Sequence, residues 1–310
     1  MDTLVIGSGV IGLTTGIALA EAGARVRIAT AKLPHDTTSY AAGAMWGSTF
    51  AGPADRVRRW AEVTRDELRA QAGDPRTGVR VARGTLVSRT TTDGPPPFLF
   101  PGVQISRRDG ALDGYRAAFS LHVPIVDMPR YLQCLLSRFE GAGGTVEVRT
   151  VRALADVAGE ADAIVNCSGI GARHLVPDPE LRPVRGQHVI VENPGLDEFF
   201  MEEPGPRWAS WIPHGDHVVL GGNADDGQWS LEPDLAVAAE IVRRCAEIEP
   251  RLGKARVLGH RVGLRPARAT VRVEAEPLGA ATCVHNYGHG GTGVGLAWGC
   301  AREVAAILGF

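Results

Sequence analysis

The first thirty residues constrain the fold most. They run Thr3-Leu4-Val5-Ile6, then Gly7-Ser8-Gly9-Val10-Ile11-Gly12, then an apolar stretch to Ala22 and Gly23, then Arg25-Val26-Arg27-Ile28-Ala29. A short apolar run before glycines reads as a buried strand. The stretch after the third glycine has the length of a helix, with Gly23 as its C-cap, and residues 25–29 read as the next strand. In a strand–GxGxxG–helix–strand unit the first glycine makes the turn. The second admits a pyrophosphate to the backbone, and the third lets helix and strand pack. The unit predicts a doubly wound α/β sheet holding a dinucleotide at Gly7, Gly9, Val10, Ile11 and Gly12. The second strand ends Ala29-Thr30-Ala31-Lys32, without the acid that grips a ribose in ordinary NAD recognition. That argues against an NAD-dependent dehydrogenase and less against FAD, which makes many other contacts.

A second glycine-rich stretch lies near the C-terminus, His285-Asn286-Tyr287-Gly288-His289-Gly290-Gly291-Thr292-Gly293-Val294-Gly295, with five glycines within eight residues. The amphipathic run Leu296 to Leu308 follows, so the stretch reads as a loop feeding a helix N-terminus. Such a start carries free N–H groups and about half a positive charge. It suits a flat ligand that gains negative charge as it reacts.

The rest of the chain alternates between two patterns. Residues 54–72 and 128–142 read as helices, the latter with Tyr131, Leu132, Leu135, Leu136 and Phe139 on one core stripe. Residues 79–87, 121–126, 146–151, 186–191, 217–222 and 282–284 read as strands, and 163–167 as a buried one ending in Ser168-Gly169. Asp36-Thr37-Thr38-Ser39-Tyr40-Ala41-Ala42-Gly43-Ala44-Met45 reads either as a capped short helix or as a loop laid along a ribityl and phosphate chain. The expected organisation is a discontinuous nucleotide domain (1–50, 127–185 and 255–310). A β-rich substrate domain (51–126 and 186–254) is inserted into it.

With 44% hydrophobic and 22% charged residues, a chain of 310 residues buries a sizeable core. A net charge of -2 gives no electrostatic case for nucleic acid or an acidic membrane. Five cysteines without CxxC spacing argue against a disulfide framework and for a reducing cytoplasm. The run at Leu4 has no basic segment ahead of it and reads as a strand, not a signal peptide. No apolar run reaches membrane-spanning length. The nine histidines show no metal-ligand spacing, and no GxSxG nucleophile turn occurs.

These motifs together resemble the D-amino-acid oxidase family of FAD flavoproteins over nearly the whole chain. The most specific pieces are His285 to Gly291 with Trp298-Gly299-Cys300-Ala301. Thr37-Thr38-Ser39, Ile164 to Gly169, Arg185-Gly186-Gln187 and Gly263-Leu264-Arg265-Pro266-Ala267-Arg268 support them. The resemblance implies a Rossmann-like FAD-binding domain with an inserted β-rich substrate domain, and non-covalent FAD. It implies oxidative deamination: the α-hydrogen passes to flavin N5 as hydride, the imino acid hydrolyses, and dioxygen reoxidises the flavin to give hydrogen peroxide. No acid or base side chain is then required, and the protein mainly orients the substrate. Arg265 matches the family's carboxylate-binding arginine, a role that suits a forked cation. Gly291 matches the carbonyl that holds the amine, and Arg268 matches a structural position. Besides the first glycine turn, the implied cofactor contacts are Lys32, Thr37, Thr38, Ser39, Gly43, Ala44, Met45, Val151, Ser168, Gly169, Arg265, Gly290, Gly291, Thr292, Gly293, Val294 and Gly295. Eukaryotic members often end in a peroxisomal tripeptide; here the chain ends Leu308-Gly309-Phe310. The implied setting is a bacterial cytoplasm, with a homodimer left open.

Two positions depart from the family. Anchored on Pro213, Ser210 stands where a carboxylate-binding tyrosine belongs, and no tyrosine occurs from Phe199 to Pro213. Ser210 and Trp211, with Trp208 and Arg207, are the candidates to line the pocket instead. Gly295 stands where the family often has a hydroxyl near the flavin. The alternative reading is therefore an FAD-dependent glycine or secondary-amine oxidase, or a biosynthetic oxidase of an unusual amino acid. A non-catalytic flavin-binding protein is a further one, against which Arg265 argues.

Overall fold

The computed structural model describes the whole chain except residues 109–111, 204, 206 and 207. Strand β1 (Asp2–Ile6), helix α1 (Val10–Glu21) and strand β2 (Arg25–Thr30) form the expected N-terminal unit. Helix α2 (Ala54–Gln71) follows, burying Val57, Trp60, Ala61, Thr64 and Leu68 at helical spacing. Then come β3 (Val79–Ser88), β4 (Ser106–Arg107), β5 (Ala117–Val126) and α3 (Met128–Gly141). On α3 the buried stripe is Met128, Tyr131, Leu132, Leu135 and Phe139, with Leu136 only half-buried at its edge. Each such burial is worth about 1.5–3 kcal/mol. The chain continues through β6 (Thr145–Val148), β7 (Ala163–Asn166), the short α4 (Ala172–Leu175) and β8 (Arg182–Glu192). Next are β9 (Phe199–Glu202), β10 (Ser210–His214), β11 (His217–Gly221), β12 (Asp225–Asp226) and α5 (Leu235–Ile248). Asp234 caps α5, its carboxylate accepting from the Ala236 and Val237 N–H groups at 2.9 and 3.1 Å. The chain closes with β13 (Val257–Leu278), β14 (Ala281–His289) and α6 (Gly293–Ile307).

All described strands join one mixed sheet, in the order β4-β5-β3-β9-β10-β11-β8-β13-β14-β7-β1-β2-β6 with β12 beside β8. From β14 to β6 the neighbours are parallel. This half is buried on both faces, as parallel sheets are: Val5 packs with Leu13 and Ile17 of α1, while Leu4 and Ile6 pack with Leu154, Val157 and Leu175. The long strand β13 joins the two halves. Its residues 257–267 pair with β8 and its residues 267–278 with β14, both antiparallel.

Two stretches differ from the pattern read off the residues. The glycine-rich stretch is not a loop as far as His289: residues 281–289 are strand, paired with β13, and only Gly290–Thr292 separate it from α6, which starts at Gly293 and not near Leu296. Backbone pairing to β13 outweighs the glycine content. Residues 199–213, read from the residues as a stretch rich in Pro, Trp and charge between strands, hold β9 and most of β10, because β3 and β11 supply their ladder partners.

Candidate active site

The first glycine turn is sterically closed. Gly7 has a φ of 105°, and a Cβ on it would lie 2.6 Å from the Cys167 carbonyl oxygen. A Cβ on Gly12 would lie 1.8 Å from the Gly7 oxygen. Gly7 thereby brings the C-terminal ends of β1 and β7 together, next to Ser168 and Gly169. Asn166 holds this corner, accepting from the Ser168 hydroxyl at 2.6 Å and its N–H at 3.2 Å. Above the turn, the Ser39 hydroxyl accepts from the Val10 N–H at 3.0 Å, and a Cβ on Gly9 would meet Ser39 Oγ at 3.1 Å. Where an acid would end β2, hydroxyls act instead: Ser8 and Thr30 both donate to the Lys32 carbonyl, at 2.8 and 2.6 Å, and the Lys32 side chain is left exposed.

The start of α6 faces the start of α1. A Cβ on Gly293 would lie 3.9 Å from Ile11 Cδ1 and 4.0 Å from Val10 Cγ1. Neither helix has an acid in its first turn or a side-chain cap from its own N-cap residue. Two uncompensated positive helix ends therefore converge. Thr292 turns its hydroxyl back to the His289 carbonyl at 3.0 Å, Gly290 takes φ 56°, Gly291 is exposed and Val294 is buried. Gly295 has a packing reason to be glycine: a Cβ there would lie 2.0 Å from the Gly47 oxygen, so no hydroxyl side chain fits.

The segment Thr37 to Met45 lies across one face of the sheet. Thr37 bonds the Pro34 carbonyl at 2.7 Å and Thr38 the Leu264 carbonyl at 3.2 Å. Gly263 admits this segment, since a Cβ there would meet Thr38 Cγ2 at 3.1 Å and Ala41 Cβ at 3.2 Å. Gly43 faces Ile212, Ala44 exchanges backbone bonds with Val126, and Met45 bridges to Ile125. Val151 packs against the cluster that holds Leu4 and Ile6.

Arg265 sits near the point where β13 passes from β8 to β14. One of its Nη atoms donates to the Asn223 carbonyl at 3.1 Å and the Arg185 carbonyl at 3.3 Å. A Cβ on Gly186 would lie 2.3 Å from the guanidinium, and one on Gly291 3.3 Å from Arg265 Cδ. The guanidinium thus lies on a glycine bed beside the second glycine loop. Among the described residues no carboxylate reaches it within ion-pair distance; Asp225 is taken by Arg185 at 3.4 Å and Asn223 at 2.7 Å. Burial lowers the Arg265 pKa and only the Asp225 charge opposes that. A half-buried cation without an anion is costly, and a bound carboxylate would relieve it. Arg268, by contrast, pairs with Asp178 at 3.0 Å and Glu180 at 3.1 Å.

Ser210 is buried on this same sheet face: its hydroxyl lies 2.9 Å from the Cβ position of Gly221, as does His188 Cδ2 at 3.0 Å. Trp211 is not brought to the site. It points to the opposite face, stacked on Phe200 at 4.3 Å in the core beneath α5, because successive strand residues alternate. Trp208 lies against Gly222, and Arg207 falls outside the described residues. The sequence does not single out His188, Asn223, Gly186 or Gly221 as neighbours of Arg265 or Ser210, where the structure places them. Arg185-Gly186-Gln187 is in the motif set, but nothing in the sequence marks His188 as facing Arg265. His289 is 3% exposed, its Nε2 has no partner among the described residues, and burial pushes its pKa down to about 3.

The converging helix ends, the closed glycine turn and the orphan His289 nitrogen all fit a flavin dinucleotide: anionic at the pyrophosphate, flat and polar at the ring. Comparison with known proteins agrees. The family of FAD-dependent oxidoreductases called DAO matches residues 2–307. The chain belongs to this family. A D-amino-acid oxidase of Rubrobacter xylanophilus is 46% identical over 99% of this chain and 95% of its own length. One of Streptomyces coelicolor is 44% identical over 99% and 96%. The human D-aspartate oxidase is 33% identical over 99% and 95%. The structure of a glycine oxidase from Geobacillus kaustophilus matches with a TM-score of 0.81 at 19% identity, covering 99% of this chain and 94% of its own, a likeness of fold. This flavoprotein oxidoreductase has five free cysteines, and no helix among its described residues is long and apolar enough to cross a membrane.

Proposed function

We propose that the chain is a cytoplasmic D-amino-acid oxidase that converts D-amino acids, dioxygen and water to 2-oxo acids, ammonia and hydrogen peroxide. One observation carries the reading: the Arg265 guanidinium, without a carboxylate partner among the described residues, lies on Gly186 and beside Gly291. In this reading Arg265 takes the substrate carboxylate in a fork of two N–H donors, and the Gly291 carbonyl accepts from the amine. Bound FAD supplies the two-electron acceptor. The chain's own part is to hold the α-carbon in place and keep water away, with no side chain needed as base. The cofactor contacts are those inferred from the sequence, in a nucleotide lobe of 1–50, 127–185 and 255–310. Relatives at 46% and 44% identity named D-amino-acid oxidase support the assignment.

Ser210 in the tyrosine position favours a second reading, a glycine or secondary-amine oxidase. Anaerobic mixing with D- and L-amino acids, glycine and sarcosine separates the two through flavin bleaching. The expected result is bleaching by D-isomers alone. Bleaching by glycine or sarcosine alone selects the second reading, and bleaching by L-isomers contradicts both.

A further inference from the structure

His188 has a role that the oxidase reading leaves unassigned, and the inference rests on that reading. On β8 it lies two residues beyond Gly186, the bed of the Arg265 guanidinium. Two residues of extended chain span about 7 Å along the same face. That is the scale separating an amino acid's carboxylate from the end of a side chain four heavy atoms long, as in glutamine or norleucine. His188 Nδ1 lies 2.7 Å from the Ala41 carbonyl oxygen. A carbonyl only accepts, so Nδ1 carries the proton and, in the neutral ring, Nε2 is a bare lone pair. Burial and the Arg265 charge hold the ring neutral, with a pKa near 4. Arg261, the cross-strand neighbour of His188, adds to that repulsion while its own guanidinium lies over the Tyr40 ring at 5.2 Å.

Among the described residues, none hydrogen-bonds His188 Nε2 or the Ser210 hydroxyl. Both converge on one point: the Cβ position of Gly221 is 2.9 Å from Ser210 Oγ and 3.3 Å from His188 Nε2. One group accepts and the other can donate. That is the complement of a primary amide, which offers an N–H and a carbonyl oxygen side by side.

We propose that His188 and Ser210 form a side-chain recognition pair for D-amino acids bearing a carboxamide, with His188 Nε2 accepting the amide N–H and Ser210 donating to the amide oxygen. An apolar side chain of the same length leaves both groups unpaired. A side-chain carboxylate has no hydrogen for Nε2.

The test is a selectivity measurement on the holoenzyme. kcat/KM is determined for D-glutamine, D-glutamate and D-norleucine with the wild type, His188→Leu and Ser210→Ala. The visible flavin spectrum of each protein is recorded alongside. The wild type is expected to favour D-glutamine over both others by at least about tenfold, the usual cost of leaving a buried polar group unpaired. Each variant is expected to shrink the D-glutamine to D-norleucine ratio about tenfold, through KM more than kcat. Ser210→Ala keeps the His188–Ala41 bond and serves if His188→Leu folds poorly. Three outcomes overturn the inference. The ratios stay unchanged while the His188 variant shifts the flavin spectrum, making His188 a cofactor contact. The wild type prefers D-glutamate, pointing to Arg261. Or the wild type oxidises other D-amino acids but discriminates none of these three. A wild type that oxidises no D-amino acid overturns the function and this inference together.

Discussion

At the scale of single residues, the site depends on charges and dipoles left without partners. Arg265 illustrates it: two backbone carbonyls orient the guanidinium while no carboxylate among the described residues pairs with it. Replacing it with leucine removes a charge-assisted fork worth about 2–3 kcal/mol, so kcat/KM should fall roughly 30- to 150-fold. The protein should stay yellow, and steady-state kinetics with a flavin spectrum check both halves. Unchanged kinetics would remove Arg265 from the carboxylate site. Ser210→Tyr, which restores the residue the family usually has, should lower activity and not raise it. His188 already leans over Gly221, where the larger side chain would run. A gain in kcat/KM for that variant would show the space to be open. Ser210 and Arg265 can be found by motif, whereas His188 cannot, since facing is a property of strand register and not of local sequence.

At the scale of elements, glycines decide where helices meet strands and each other. The N-terminal unit is legible from residues 3–29 because its glycines act within one turn. Gly12→Val drives a side chain into the Gly7 carbonyl and should empty the site of flavin, read as the ratio of visible to ultraviolet absorbance. Full loading of that variant would contradict the pyrophosphate role. Gly295 acts over a longer range, packing α6 against the backbone of Gly47. Gly295→Thr should cost about 1–3 kcal/mol, the usual penalty of overpacking, seen as a lower midpoint in urea. A neutral result would mean that the segment around Gly47 yields. The glycines of 288–295 read as loop in the sequence, yet Gly288 lies within a strand, because β13 offers ladder partners that no local pattern announces.

At the scale of the whole molecule, all described strands belong to one sheet, and β13 joins its parallel and antiparallel halves. The proposed substrate groups on β8 and β13 thus share a continuous sheet with the turns at β1, β7 and α6. Burial also leaves a titration signature. His188 and His214 have pKa values near 4 and His289 near 3, all below the ordinary 6.5, chiefly through desolvation. Above pH 6.5 both the folded and the unfolded chain keep them neutral, and their contribution is fully present. As the pH falls below 6.5 the unfolded chain takes up protons that the folded chain refuses, so stability is lost progressively down to pH 4 to 3. The slope is about 1.4 kcal/mol per pH unit for each proton. Denaturation of the holoenzyme at pH 7, 6 and 5 should show the decline; equal stabilities would mean that the buried rings are hydrated.

The sequence alone determined the dinucleotide unit, because its glycine spacing is enforced by local geometry, and its motifs, by resemblance, the flavoprotein family; the same resemblance singled out Arg265 as the candidate for the carboxylate. Tertiary structure alone decided three things. β9 and β10 complete the sheet, Trp211 turns into the core while Ser210 faces the site, and His188 stands between Ser210 and Arg265. Each depends on which strand lies alongside which and in what register. That pairing joins residues far apart in the chain, and the side-chain alternation it imposes assigns every residue to one face or the other.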